Sequence, residues 1–249
     1  MRKILYNAYA HNDEWHKRPL FDSLDAGFNA VEADVHLING ELFVGHEEHE
    51  LVRSDAGTLE KMYLDPLVNR IKTNKGAVHP GSARPFMLMI DCKTNGDELY
   101  AALEKKLIPS RDFLCSAQNG VYHERALIII LCGHLPEETF RANRDRYVFM
   151  TGRAEHLGKN VPFAERPLIN IDFQKYSAWN GAGEMALDEL AVLRDLICRT
   201  HGEGKWFRVY FAPDTETAHR LFYREGVDFI STDNMVTLCG VLGNLPGEY

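Results

Sequence analysis

Short apolar runs rich in β-branched and aromatic residues alternate with helix-length segments along nearly all of the 249 residues. That alternation constrains the fold more than any other feature. Strands are predicted over residues 4–9, 30–36, 86–93, 126–132, 147–151, 168–172, 207–211 and 229–231. Helices are predicted over 19–26, 59–72, 97–106, 137–143, 188–201 and 215–224. A strand that returns parallel to its predecessor needs a helix-sized crossover, so this order implies a parallel sheet with helices outside. Eight strand–helix units in roughly 250 residues is the arithmetic of an α/β (β/α)8 barrel, with a doubly wound sheet as the competitor. No Pro/Ser-rich linker or shift of composition divides the chain, which reads as a single domain over 1–249. Asn39-Gly40 is a strong two-residue turn signal and predicts a β-hairpin extension after the second strand.

Composition narrows the classes of function. Hydrophobic residues make up 45% of the chain, enough for a sizeable core and against disorder. Asp plus Glu outnumber Lys plus Arg 36 to 28, a formal charge of −8 that argues against nucleic-acid binding unless a cation intervenes. The stretches of apolar residues are too short for a leader or a membrane span, so neither integral membrane association nor a location outside the cytoplasm is expected. The five cysteines are odd in number and lack a CxxC pair, and read as small buried hydrophobes of a reducing compartment. Nucleophile elbow, phosphate-binding loop, dinucleotide fingerprint and zinc spacing are all missing.

The chemistry concentrates in two strands. Glu32 and Asp34 are separated by one residue inside Val31-Glu-Ala-Asp-Val35, so period-2 geometry places both carboxylates on one face. A solvated strand end or a salt bridge to Lys or Arg is the competing explanation. Met87-Leu-Met-Ile-Asp91-Cys-Lys93 repeats the pattern, apolar until Asp91 and Lys93. Polar residues at the C-terminal ends of barrel strands face the catalytic mouth. Three carboxylates there make a hard-oxygen site suited to a divalent cation, Mg2+ above all, and Lys93 adds a positive charge for a phosphoryl group. His11 and His46 end neighbouring strands and form a candidate acid–base pair. His79, His123, His134, His156, His201 and His219 fall in loops or helices and are expected to be solvated. Weaker candidates come later: Asn170 and Asp172 on one strand, Tyr210 on another, Asp233 near the last strand end. Trp179 lies in a Gly-rich loop that would suit a substrate lid.

Together these residues resemble a known superfamily. His11-Asn12, Glu32-x-Asp34, Gly40-x-Leu42-x-Val44-x-His46, Asp91-x-Lys93 and the Val227-Asp-Phe-Ile-Ser-Thr-Asp233 ending are similar to the phospholipase-C-like phosphodiesterase barrels. Glycerophosphodiester phosphodiesterases and sphingomyelinase D toxins belong to it. Arg18-Pro-Leu20, Tyr63-Leu-Asp-Pro-Leu67, Trp179-Asn-Gly-x-Gly183 and Pro213-Asp214 resemble more closely the branch named after fungal altered-inheritance-of-mitochondria protein 6. The resemblance runs from about residue 7 to 235. It implies a TIM barrel in which Glu32, Asp34 and Asp91 hold Mg2+ or Ca2+, His11 and His46 exchange protons, and Lys93 binds phosphate. Asn12 stands where glycerophosphodiesterases carry Arg and is taken as substrate-binding, with Asn170, Trp179 and Tyr210. Asp91, where those enzymes usually carry Glu, resembles the toxin branch. The expected activity is metal-dependent cleavage of a small phosphodiester, glycerophosphodiester or lysophospholipid-like. The alternatives are a phospholipase D-like lipid phosphodiesterase that forms a cyclic phosphate, and a barrel that binds a phospho-ligand without turnover.

Overall fold

The computed structural model describes residues 3–52 and 57–244. In chain order its elements are β1 (Leu5–Ala10), α1 (Phe21–Ala26), β2 (Phe28–Ile38), β3 (Glu41–Val44), α2 (Asp65–Thr73), β4 (Phe86–Cys92), α3 (Gly96–Leu107), β5 (Ser116–Gln118) and β6 (Val121–His123). There follow β7 (Leu127–Gly133), α4 (Glu137–Ala142), β8 (Val148–Gly152), β9 (Leu168–Asp172), α5 (Leu187–Gly202), β10 (Trp206–Tyr210), α6 (Glu216–Glu225), β11 (Ile230–Thr232) and α7 (Met235–Gly243). Eight of the strands run parallel in the order β10-β9-β8-β7-β4-β2-β1-β11. The seam between β10 and β11 is bridged by Arg208 and Phe229, again parallel, so the sheet curls into a barrel. The doubly wound alternative is thereby excluded.

The hairpin after the second strand forms as its turn residues dictate. Asn39 and Gly40 both adopt positive φ, 52° and 82°, and β3 pairs antiparallel with β2 from Val35–Val44 to Ile38–Glu41. Helix ends also follow local chemistry. Asn95 caps α3 by accepting from the amides of Asp97 and Glu98, and Thr215 caps α6 through Ala218.

Some elements depart from expectation. Helix α7 was not expected, because Met235-Val-Thr-Leu-Cys-Gly-Val-Leu-Gly243 is apolar all round and shows no helical stripe. After β8, where no helix is predicted, the chain makes only a single turn, Ala154–His156. The helix expected over 59–72 begins as a wide turn, Glu60–Leu64, and becomes α-helical at Asp65.

Strand phase builds the interior. Outward-facing Val31, Ala33, Val35, Leu88, Ile90, Ile129 and Leu131 pack with the helices in the larger core. Inward-facing Tyr9, Ala30, Met87, Met89, Ile128, Ile130, Phe149 and Leu168 fill the lumen as a separate cluster. Two residues further along the same inward phase, apolar side chains give way to polar ones. Glu32 and Asp34 follow Ala30, Asp91 follows Met89, Thr151 follows Phe149 and Asn170 follows Leu168. The barrel is therefore plugged at one end and polar at the other.

Candidate functional site

The polar end opens into a cavity of about 580 Å³ whose wall includes His11, Glu32, His46, Asp91, Lys93 and Arg208. Register brings the acidic pair of β2 beside the single carboxylate of β4, with Asp34 directly opposite Asp91. Lys93 answers both: its Nζ donates to Asp91 Oδ2 at 2.7 Å and lies 3.0 Å from Asp34 Oδ2. Glu32 sits deeper. Its Oε2 accepts from the Tyr9 hydroxyl at 2.6 Å and from Arg208 Nη2 at 3.1 Å. Arg208 is wholly buried, spans the lumen from β10, donates to Asn170 Oδ1 and Ser231 Oγ, and stacks 4.0 Å above the Tyr9 ring. The salt-bridge reading thus holds for both carboxylates of β2, Glu32 with Arg208 and Asp34 with Lys93. Three carboxylates meet two cations, which leaves one net negative charge.

Both histidines face this cluster, and each is steered by a carboxylate at Nδ1. His46 bonds through Nδ1 to Asp34, and its ring meets Trp15 edge-on at a centroid distance of 5.4 Å. His11 Nδ1 donates to Asp233 Oδ1 at 2.8 Å, with the Asn12 amide 3.0 Å from the same nitrogen. Each imidazole keeps 35% of its side chain exposed, and His46 Nε2, on the side away from Asp34, lies 3.6 Å from Glu47 Oε1. Burial works against the imidazolium of His11. The Asp233 bond and the charge of Glu32 outweigh it and raise its pKa. Asp233 is held in turn. Its backbone N–H donates to Asp214 Oδ2, and Asp214 also accepts from Thr232 and from His219, which is fully buried. His219 and His79 therefore correct the expectation of solvated histidines. His79 is buried with its Nε2 on the Phe28 carbonyl, 2.7 Å away.

The remaining candidates separate. Asn170 and Tyr210 line the cavity, and Asn12 lies in its wall, 95% buried, in the left-handed region at φ 46°. Trp179 is the correction. It packs against the outer core, its indole N–H donates to the Ala182 carbonyl at 3.0 Å, and it is not among the residues of the cavity wall. The local Gly-rich turn folds back on itself, which holds the ring away from the mouth.

Other residues here were not singled out from the sequence. Arg208 and Tyr9 are in phase with Tyr210 and His11, so the same i, i+2 reading that found Glu32 and Asp34 applies to them. Gly133 ends β7 at φ 73°, and a Cβ there would run into the Asp91 carboxylate. Glu14, two residues past Asn12, brings its carboxylate close to Asp34 and His46. Both its oxygens are buried without a hydrogen-bond partner among the described residues, and burial, then the charge of Asp34, pushes its pKa up to about 9.

Two groups of side chains here could hold a metal ion. Glu32, Asp91 and Cys132 bring ligand atoms within 4.8 Å of one another, and Glu14, Asp34 and His46 do the same. The donors are mainly hard oxygens, which fit a divalent cation of the Mg2+ or Ca2+ kind. Burial holds the Cys132 thiol protonated, away from ligand form. The surplus negative charge points the same way.

The fold has counterparts among solved structures. The chain superposes on the glycerophosphodiester phosphodiesterase of Agrobacterium tumefaciens with a TM-score of 0.50 and 16% identity, over 97% of this chain and all of that one. A glycerophosphoryl diester phosphodiesterase from Parabacteroides distasonis gives 0.55 and 13%, over 96% and 87%. The fold is that of the phosphodiesterase barrels. Within that class the chain belongs to the AIM6-like phosphodiesterase domain family, whose pattern residues 3–151 match. Among its relatives is the altered inheritance of mitochondria protein 6 homolog of Arthroderma benhamiae, 31% identical over 170 residues. That match takes in 60% of this chain and 54% of the relative, so the chain spans about half that protein's length. Altered inheritance of mitochondria protein 6 of Saccharomyces cerevisiae is 25% identical over 91% of this chain and 68% of its own. No helix among the described residues is long and apolar enough to cross a membrane.

Proposed function

We propose that the chain is a divalent-cation-dependent phosphoric diester hydrolase acting on a small phosphodiester, with Mg2+ as the ion. The observation that carries this reading is the pairing of two partly open imidazoles, each backed by a carboxylate, across one cavity from Glu32, Asp91 and Lys93. Glu32, Asp34 and Asp91 would hold the ion. It would offset the site's surplus negative charge and polarise the phosphoryl oxygens.

The chain's own groups supply the rest. Lys93 places a permanent positive charge beside the phosphate position. His11, with Nδ1 committed to Asp233, takes the proton of the attacking oxygen at Nε2. His46, with Asp34 at its Nδ1, gives a proton to the leaving alcohol, and the same carboxylate stabilises its imidazolium form. Tyr9 and Arg208 fix Glu32 from below.

The test is hydrolysis of bis(p-nitrophenyl) phosphate and of glycerophosphodiesters with Mg2+, Ca2+ or Mn2+, before and after chelation. Turnover is expected to vanish with chelator, and His11→Ala or His46→Ala to lower kcat by about a hundredfold to ten-thousandfold. Asp91→Ala is expected to abolish turnover while leaving the fold intact by circular dichroism. Full activity in any of the three variants would overturn the assignment.

A further inference from the structure

The cavity has two unlike halves. Glu32, Asp91, His11 and His46 come from β1, β2, β4 and the end of the hairpin. The opposite arc, from β8, β9 and β10, offers Arg153, Asn170, Gln174 and Tyr210. Arg153 continues the inward phase of Phe149 and Thr151, and its backbone N–H is tied to His156 Nδ1 at 2.9 Å, which fixes the chain where β8 ends.

Each of the other charged side chains on this wall has an ion-pair partner within the protein, even where one cation is shared by two carboxylates. Lys93 pairs with Asp34 and Asp91, Arg208 with Glu32, Asp233 with His11 and Asp214 with His219. Arg153 has no ion pair among the described residues. Arg153 and Tyr210 line the same arc of the cavity; burial and then Asp172 raise the pKa of the Tyr210 hydroxyl, and the guanidinium charge works to lower it. The acidic group of that arc, Asp172, is already engaged: Oδ1 accepts from the Gln174 amide N–H at 3.1 Å, and Oδ2 lies 3.8 Å from Lys175. The Tyr210 hydroxyl and the side-chain amide of Gln174 have no partner among the described residues.

We propose that Arg153, with Tyr210 and Gln174 beside it, forms a second anion subsite, so that the favoured substrates are phosphodiesters whose alcohol carries a further carboxylate or phosphate. This rests on the phosphodiesterase reading of the same cavity and adds a substrate class to it. The free guanidinium is the specificity element: a neutral alcohol leaves it to water, whereas an anionic one receives a charge-assisted hydrogen bond. One such bond at a partly open site corresponds to about a tenfold preference.

Two p-nitrophenyl phosphodiesters test this, one with propanol and one with hydroxypropionate as the second alcohol, so that only a carboxylate distinguishes them. With Mg2+, the wild-type ratio of kcat/KM is expected to favour the carboxylate diester about tenfold, mainly through KM. In Arg153→Gln the ratio falls to about one, and Arg153→Lys keeps part of it. A wild-type ratio near one, or a ratio unchanged by Arg153→Gln, overturns the subsite. If neither diester is hydrolysed with any divalent ion, the proposed function falls, and the subsite is judged by calorimetric titration. Phosphoglycerate is then expected to bind about tenfold tighter than glycerol phosphate to wild type and equally to Arg153→Gln. Equal binding of both to wild type overturns it.

Discussion

Removing the charge of Arg208 tests the electrostatic reading of the site most directly. The guanidinium and Glu32 lie 3.1 Å apart with side chains 2% and 7% exposed, so neither has water to fall back on. At an effective dielectric constant of about 20, a unit pair at that separation attracts by roughly 5 kcal/mol before desolvation is counted. Breaking one side of a buried pair costs about 3–5 kcal/mol, because the survivor stays buried and uncompensated. Arg208→Met keeps much of the side-chain volume and drops the charge. In chelator-treated protein it is expected to lower Tm by about 6–20 °C for a chain of this size. Glu32→Gln should cost a similar amount, since it strands the arginine. The double variant should lose clearly less than the two costs added, with about 2–3 kcal/mol recovered as the pair's coupling. Divalent ions supply a second readout. Arg208→Met takes the cluster from one net negative charge to two, so Mg2+ should bind more tightly and raise its Tm more than that of wild type. Glu32→Gln should do the reverse. Differential scanning calorimetry with and without Mg2+ measures all of these. A loss under about 1 kcal/mol in Arg208→Met, or additive losses in the double variant, would refute the claim that this pair carries the site's charge balance.

Other perturbations separate roles by sign. Asp233→Asn removes the negative charge that helps raise the pKa of His11 and leaves only a neutral acceptor, so the acid limb of kcat/KM should move to lower pH, with kcat reduced; an unmoved limb would detach His11 from that limb. Glu14 keeps its proton in the fold up to about pH 9, while the unfolded chain releases it near pH 4.5. Stability attributable to its neutral form is therefore full below pH 4.5 and lost as pH rises toward 9. Glu14→Gln should match wild type near pH 4.5 and exceed it by about 1 kcal/mol or more near pH 8, in chelator and by thermal melts at both pH values. Gly133→Ala should cost about 1–2 kcal/mol for the left-handed backbone and, by displacing Asp91, lower phosphodiester turnover more than tenfold. Retained turnover there would mean that Asp91 is free to move.

How much of this was legible in the sequence follows from the range over which each signal acts. The strand order, the barrel and the Asn39-Gly40 hairpin rest on local periodicity and turn chemistry, which two to ten neighbouring residues encode. So do the pairs Glu32/Asp34 and Asp91/Lys93, whose members share a strand face whatever lies around them. Arg208 carried the same local mark, a charge inside Trp206-Phe-Arg-Val-Tyr210, yet its meaning depends on a partner 176 residues away. Only when β11 and β1 close the ring between β10 and β2 does its side chain reach Glu32 across the lumen. Asp233 is similar: a loop residue by pattern, it becomes the orienter of His11 because the parallel register sets Thr232 beside Ala10. Trp179 failed in the opposite direction. A Gly-rich loop with an aromatic residue promised a lid, but the indole N–H found a carbonyl three residues on, a contact that a loop's composition does not encode. Helix α7 was hidden because burial against β1 and α6 lets an all-apolar segment of mixed propensity be helical. Charges that face their own strand neighbours can thus be read from spacing. Those that complete the site from across the barrel acquire their role at closure, which is why the cation beside the deepest carboxylate is also the residue whose removal tests the assembled site most sharply.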